Sequence, residues 1–222
     1  LQLSENLWVY EWTSFTQNNC NTYVLGRKAK VLIDPGHSHL FSHVERGMAA
    51  DGLDPAALEL VIATHSHPDH FEGVEKFLDR PEVKIAIHPD GQEFLEKAGL
   101  EFARMLGMAN PRYRIDLNLV EGDLEADGLK LQVFHTPGHS PGHICLYWPE
   151  AKVLFSGDLI FNQGVGRTDF PGGDGRLLKQ SIKRMSELQV ETILAGHGPA
   201  VQGRDQVKKN FAFIEQVYFP MF

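Results

Sequence analysis

The stretch that decides the reading is Leu58-Glu59-Leu60-Val61-Ile62-Ala63, running straight into Thr64-His65-Ser66-His67-Pro68-Asp69-His70. A short apolar, β-branched run of this kind reads as a buried strand. It ends where three histidines and an aspartate crowd together. On extended backbone His65 and His67 point to the same side, with Cα atoms about 6.6 Å apart at a rise of ~3.3 Å per residue, so two imidazoles can converge on one ion. Pro68 suits the first position of a helix, which places Asp69 and His70 in the opening turn of a helix expected over 69–79. That turn aims them at a second point nearby. Burying so many polar groups without partners is costly, and the pattern H-x-H-x-D-H behind an apolar strand reads as a metal site.

Working outward, further ligand-type residues stand at the ends of later strand-like runs. His139 follows the run 129–135 inside His135-Thr136-Pro137-Gly138-His139-Ser140-Pro141-Gly142-His143, Asp158 closes Val-Leu-Phe-Ser-Gly-Asp, and His197 closes Ile-Leu-Ala-Gly-His-Gly. Each is flanked by glycine, which lets backbone pass close to an ion. Other strands are expected at 7–13, 21–25, 29–33, 83–87, 143–148 and 152–156. Helices are expected at 39–51, 175–188 and 204–219, with one or two short ones across 90–108. Ala29–Gly36 resembles Ala151–Asp158, and Glu59–Asp69 echoes Glu191–Ala200. Two similar β-rich halves would deliver polar residues to one shared edge. No linker or low-complexity stretch divides them, so one domain over 1–222 is expected, of the α/β or α+β class.

Composition agrees with a packed globular chain: 222 residues, 42% hydrophobic and 23% charged. Eleven histidines stand beside only two cysteines, so a metal site must be built from nitrogen and oxygen. Cys20 and Cys145 lie in apolar contexts without a C-x-x-C and read as inert buried thiols. A net charge of −8 speaks against nucleic acid as a partner, because phosphate binding wants a basic face. No apolar run reaches the ~18 residues of a membrane span, and the N-terminal residues do not look like a signal peptide. A cytoplasmic enzyme is the expectation.

His-Ser-His-Pro-Asp-His, Pro-Gly-His-Ser, Gly-Asp and Gly-His-Gly, in this order and spacing, resemble the metallo-β-lactamase superfamily. The likeness covers about 15–200, nearly the whole chain. Within it, His-Thr-Pro-Gly-His-Ser-Pro-Gly-His and the stretch Gly157–Gly173 are similar to the glyoxalase II-like (hydroxyacylglutathione hydrolase-like) group. The resemblance implies a four-layer αββα sandwich with a dinuclear site at one edge. Carried over residue by residue, it implies that His65, His67 and His139 hold one metal, that Asp69, His70 and His197 hold the other, and that Asp158 bridges them. Cysteine or serine in place of Asp158 would point to true β-lactamases.

Imidazole and carboxylate ligands without thiolate suit zinc, with iron or manganese also admissible. Two divalent ions, offset by Asp69, Asp158 and a bridging hydroxide, leave about one positive charge, which favours a small anionic substrate. Metal-bound water has a pKa of roughly 7; the hydroxide, held with Asp69 and Asp158, would attack a carbonyl whose developing oxyanion the metals stabilise. A thiolate, whose conjugate acid has a pKa of about 8.5, leaves without a dedicated acid. The expected reaction is therefore thioester hydrolysis, on S-lactoylglutathione or a related acyl thioester.

Asp34, in Val-Leu-Ile-Asp-Pro-Gly, reads equally as a turn residue or as the partner of a ligand histidine's other ring nitrogen. His143 also reads as a non-ligand, one that could donate a hydrogen bond from behind the ligands. Glyoxalase II proteins carry a basic residue that contacts a glutathione carboxylate where Arg167 stands; the alternative for Arg167 is an ion pair with Asp169, which replaces their tyrosine. Only 25 residues follow His197, enough for one amphipathic helix and not for the helical glutathione-binding domain of familiar glyoxalase II enzymes. His37, His39, His43, His88 and His135 read as non-ligands. Two other activities share these motifs. Persulfide dioxygenases of the superfamily hold a single iron, here through His65, His139 and Asp158. Lactonases share all seven ligands.

Overall fold

The computed structural model describes residues 1–14, 16–109 and 111–222. Two sheets account for most of the strands. The first contains β1 (Gln2–Ser4), β2 (Leu7–Tyr10), β3 (Thr22–Leu25), β4 (Val31–Ile33), β5 (Leu60–Ile62), β6 (Lys84–Ile87) and β7 (Leu117–Asn118), side by side in that order. The second contains β8 (Gly122–Ala126), β9 (Leu129–His135), β10 (Ile144–Trp148) and β11 (Val153–Gly157), followed by β14 (Thr192–Ala195) and β15 (Val201–Gln202) beyond β11. A small hairpin, β12 (Ile160–Phe161) with β13 (Gly164–Val165), stands apart from both.

The helices are α1 (Ser42–Ala50), α2 (Pro68–Phe71), α3 (Pro89–Met105), α4 (Gly175–Ser186) and α5 (Arg204–Val217). Their placement follows from strand alternation. Successive side chains of a strand point to opposite faces, and here both faces are apolar. Leu7, Val9, Tyr23, Leu25, Val31 and Ile33 meet Leu131, Val133, Leu146 and Phe155 between the sheets. Their neighbours Trp8, Val24, Leu32 and Val61 face Val44 and Met48 of α1 on one outer side. Tyr147, Leu154 and Ile193 face Ile182 of α4 and Val207 and Phe211 of α5 on the other. The result is helix, sheet, sheet, helix: the expected αββα sandwich.

The two halves repeat each other. β2, β3 and β4 are antiparallel neighbours, and α1 then crosses to β5, parallel to β4. β9, β10 and β11 are likewise antiparallel, and α4 crosses to β14, parallel to β11. The sequence echoes therefore fall on the same places in both halves: Asp34 and Asp158 after the third strand, His65 and His197 after the fourth. Parallel strands joined by a helix crossover leave their C-terminal ends together at one edge, the usual place for a ligand site in such sheets.

Three expectations are corrected in detail. The helix expected over 69–79 is α2 continued as a 3₁₀ turn, Glu72–Phe77. Gly73 forces the change: its N–H donates to the Gly36 carbonyl at 2.6 Å, and a Cβ there would strike Pro35. The region 90–108 holds one 17-residue helix, α3, in place of short pieces. Strands β1, β7, β8 and the β12–β13 hairpin are short or polar and lack the apolar alternation that marks the others. Cys20 and Cys145 are free and buried; burial pushes the Cys145 thiol up to about 12 and the Cys20 thiol well above its ordinary value. No helix among the described residues is long and apolar enough to cross a membrane.

Candidate metal centre

The seven side chains singled out at strand ends come together at one edge of the sandwich. One nitrogen from each of His65, His67 and His139 lies within 4.8 Å of the others, as do ligand atoms of Asp69, His70 and His197, and of His65, His70 and Asp158. Asp158 stands between the groups: its Oδ2 is 3.6 Å from His139 Nε2 and 3.5 Å from His197 Nε2, and its Oδ1 is 3.1 Å from His70 Nε2. Asp69 Oδ2 is 3.3 Å from His197 Nε2.

The surroundings prepare these atoms to bind a cation. His65, His67 and His139 are buried, and the Nε2 of each has no hydrogen-bond partner. Buried polar atoms are normally satisfied, so three unpaired nitrogens converging on one point need a shared partner. Burial, with the neighbouring imidazoles, pushes His65 well below its ordinary pKa and His67 down to about 3, and burial also lowers His139. All three are thus neutral, the form that coordinates a metal. The other group behaves in the opposite way. Burial opposes charge on His70 and His197, but the carboxylates together outweigh it, Asp158 with Asp34 at His70 and Asp158 with Asp69 at His197. His70 rises well above its ordinary value and His197 to about 9. Asp69 and Asp158 fall below the usual carboxylate range although burial acts against it, because His70 and His197 lie beside them. This corner draws positive charge, as protons on imidazole or as a divalent ion in their stead. The residues present fit two metal ions.

Support from behind fixes the rings. Asp34 Oδ2 accepts from His70 Nδ1 at 2.8 Å and from the Thr64 hydroxyl at 2.8 Å, while its Oδ1 accepts from the Thr64 amide at 2.7 Å. Since the Thr64 hydroxyl proton goes to Asp34, its oxygen takes a hydrogen bond from His65 Nδ1 at 3.1 Å. Both rings then turn Nε2 forward, as carboxylate-backed metal ligands do. His139 Nδ1 donates to the Arg167 carbonyl at 2.7 Å to the same effect. His143 stands behind the cluster and meets Asp158 as an acceptor rather than a donor: its Nε2 accepts from the Asp158 amide at 3.1 Å and its Nδ1 donates to Thr136. It holds the backbone of Asp158 rather than the ring of another histidine.

The Arg167 guanidinium bonds Asp169 at 2.7 and 2.6 Å and lies 3.7 Å from the Phe170 ring centroid. It lines the cavity in front of the cluster, as does His37, which donates through Nδ1 to Glu72 at 2.7 Å. Among the described residues two further groups of ligand-type side chains occur, His37 with His39 and Glu72, and His88 with Asp90 and His135.

Sequence reasoning missed Asn18, Asn21 and Thr64. Asn18 donates to Asp69 Oδ2 at 2.6 Å, and Asn21 bonds the carbonyls of Ala195 and Gly198 on either side of His197. The available signal was the polar run Asn18-Asn19-Cys20-Asn21 set directly before an apolar strand.

Comparison with known proteins agrees with this arrangement. The family model described as the metallo-beta-lactamase superfamily matches residues 15–197. The chain is 34% identical to the Haemophilus influenzae hydroxyacylglutathione hydrolase GloC, over 87% of this chain and 91% of that one. Among solved structures, TTHA1623 in a di-iron-bound form is 34% identical, with a TM-score of 0.71 over 86% of this chain and 93% of that one. The B3 metallo-beta-lactamase BLEG-1 is 30% identical, with a TM-score of 0.77 over 94% and 99%. With the fold, the ligand-like cluster and these likenesses in agreement, the chain belongs to the metallo-β-lactamase superfamily and, within it, to the glyoxalase II-like group.

Proposed function

We propose that this protein is a dinuclear metal-dependent hydrolase that cleaves acyl thioesters, S-lactoylglutathione being the reference substrate. The observation that carries the reading is the set of three buried, neutral, unpaired imidazole nitrogens beside an anionic corner that shares Asp158 with them. His65, His67 and His139 would hold one ion, Asp69, His70 and His197 the other, and Asp158 both. Zinc suits this donor set, as do iron and manganese. Bound there, the ions would supply an activated water and polarise the carbonyl under attack.

The remaining work falls to the chain itself. Asp34 and Thr64 hold two rings in the required tautomer, Asn18 orients Asp69, and His143 fixes the backbone at Asp158. Outside the cluster, the ionisable side chains among the described residues lining the cavity are His37 and Arg167, bonded to Glu72 and Asp169 respectively. A leaving group that departs without protonation fits such a site, and a thiolate is one.

The test is hydrolysis of S-lactoylglutathione, followed through free thiol release, together with elemental analysis. Two equivalents of metal per chain and thiol release abolished in Asp69→Ala are expected. One iron per chain with oxygen uptake on glutathione persulfide would overturn the reading.

A further inference from the structure

In front of the clustered histidines lies a cavity of about 590 Å³ whose wall is unlike its floor. The floor is polar. The wall is Phe102, Leu106 and Met108, from the end of α3 and the turn beyond it, and Phe161, Val165 and Phe170, from the β12–β13 hairpin and the loop that follows. The three aromatic rings lie against the clustered histidines. The Phe102 ring is 5.1 Å and the Phe170 ring 5.7 Å from the His67 ring, the two are 5.3 Å from each other, and Phe161 is 6.0 Å from His197. A substituent on a carbonyl held over the cluster therefore meets aromatic and aliphatic carbon at once.

Charge points the same way. Among the described residues lining the cavity, Arg167 is the only arginine or lysine. Its guanidinium is already paired twice with Asp169 and lies against Phe170. Recognition of glutathione's two carboxylates would need free cationic donors, and the cavity offers none beyond this pair. At the rim Leu106 is 38% exposed and the adjacent Met105 55%, so apolar surface continues outward from the pocket.

We infer that the acyl group taken by this site is an apolar chain longer than lactoyl, lying along the wall from Phe102 and Phe170 out to Leu106. The inference rests on the thioester-hydrolase reading and specifies its substrate class. The carrier thiols of biology are polar, so the apolar arm is the acyl side and the thiol side faces solvent.

The test uses the metal-loaded enzyme and N-acetylcysteamine thioesters of acetate, lactate, butanoate, hexanoate and octanoate. Burial of each added methylene should raise kcat/KM about fourfold, and the lactoyl thioester should fall below the butanoyl one. Leu106→Gln should cut the octanoyl-to-acetyl preference about tenfold, with circular dichroism and melting temperature checking its fold. Calorimetry gives a readout independent of turnover: octanoate should bind at least tenfold more tightly than lactate. Turnover that is flat or falling with chain length, or S-lactoylglutathione cleaved faster than any longer acyl thioester, overturns this inference and leaves the hydrolase standing. Failure to cleave any thioester overturns the hydrolase reading, and equal binding of octanoate and lactate would then remove the apolar assignment as well.

Discussion

A single aspartate shows how much one residue organises here. Asp34 is buried, lies in the left-handed region at φ 55°, and takes three hydrogen bonds on its carboxylate and two, from the Thr22 hydroxyl and the Cys20 thiol, on its carbonyl. Sequence left its role open between a turn residue and a support for a histidine, and the structure shows both at once. The left-handed conformation starts the turn into Pro35-Gly36, and the same bend presents the carboxylate to Thr64 and His70. Asn tolerates this backbone conformation, so Asp34→Asn tests the carboxylate alone. The amide nitrogen would face a donor, either the Thr64 amide or His70 Nδ1. Metal affinity should fall 10–100-fold and stability by about 2–3 kcal/mol, checked by titration with buffered zinc and by urea unfolding. Wild-type affinity in this variant would remove Asp34 from the support of the centre. The seven strand-end residues were legible because their chemistry and spacing are unusual for a loop. Thr64 and Asn18 were not, since threonine and asparagine are ordinary everywhere and only contact across 30 or more positions gives them a role.

At the scale of elements, the segment carrying His139 is gripped from two sides. The N-terminus of α4 meets it at Gly138, whose carbonyl accepts from the Asp174 amide at 2.8 Å, while Ser181 bonds the Pro137 carbonyl. The start of α3 meets it at Gly142, where a Cβ would collide with the backbone of Gly91. This contact also explains why α3 was hard to read. Gly91 and Gly99 lower helix propensity by roughly 1 kcal/mol each relative to alanine, so local preference works against one long helix, yet Gly91 is there so that two backbones can touch. Gly142→Ala should therefore destabilise the fold by at least about 3 kcal/mol and lower metal content with it. Gly198→Ala, at φ 74° with open space around it, should cost only the backbone strain of about 1–2 kcal/mol. Thermal melts of the two variants, with metal analysis, make the comparison. Equal losses would mean that helix contact does not position the segment. The apolar wall escaped the sequence reading for a similar reason: Phe102 follows the helix period like any core residue, and nothing in the pattern separates lining a cavity from filling one.

Across the whole molecule, the two halves are joined in front by the cluster of ligand-type residues and behind by the core between the sheets. Asn21 and Tyr23 of the first half bond the Ala195 carbonyl of the second, and the Asn21 amide bonds that of Gly196. Two ions, each bound at ~1,000 times its Kd, contribute about 8 kcal/mol, which for a chain of this size corresponds to roughly 20 °C in Tm. Removing the metal with a chelator should lower Tm by about that amount in one transition seen alike by near- and far-ultraviolet circular dichroism. Two separated transitions would show that the halves do not depend on each other. The repeat of strand, aspartate, helix, strand and histidine was visible as an echo in the sequence. That its copies face each other was not, because no local pattern records which sheet faces lie together.

The wide separation of the ligand residues along the chain also has a consequence for synthesis. A chain leaving the ribosome folds from its N-terminal end, so the first sheet and the His65–His70 segment emerge well before His139, Asp158 and His197. Until the last of these is released, the early histidines have neither their neighbours in the cluster nor the cover of the second half. With the proposed ligand set, secure metal loading is an event that follows release of residue 197, and a nascent chain stalled before it would carry half of a chelator.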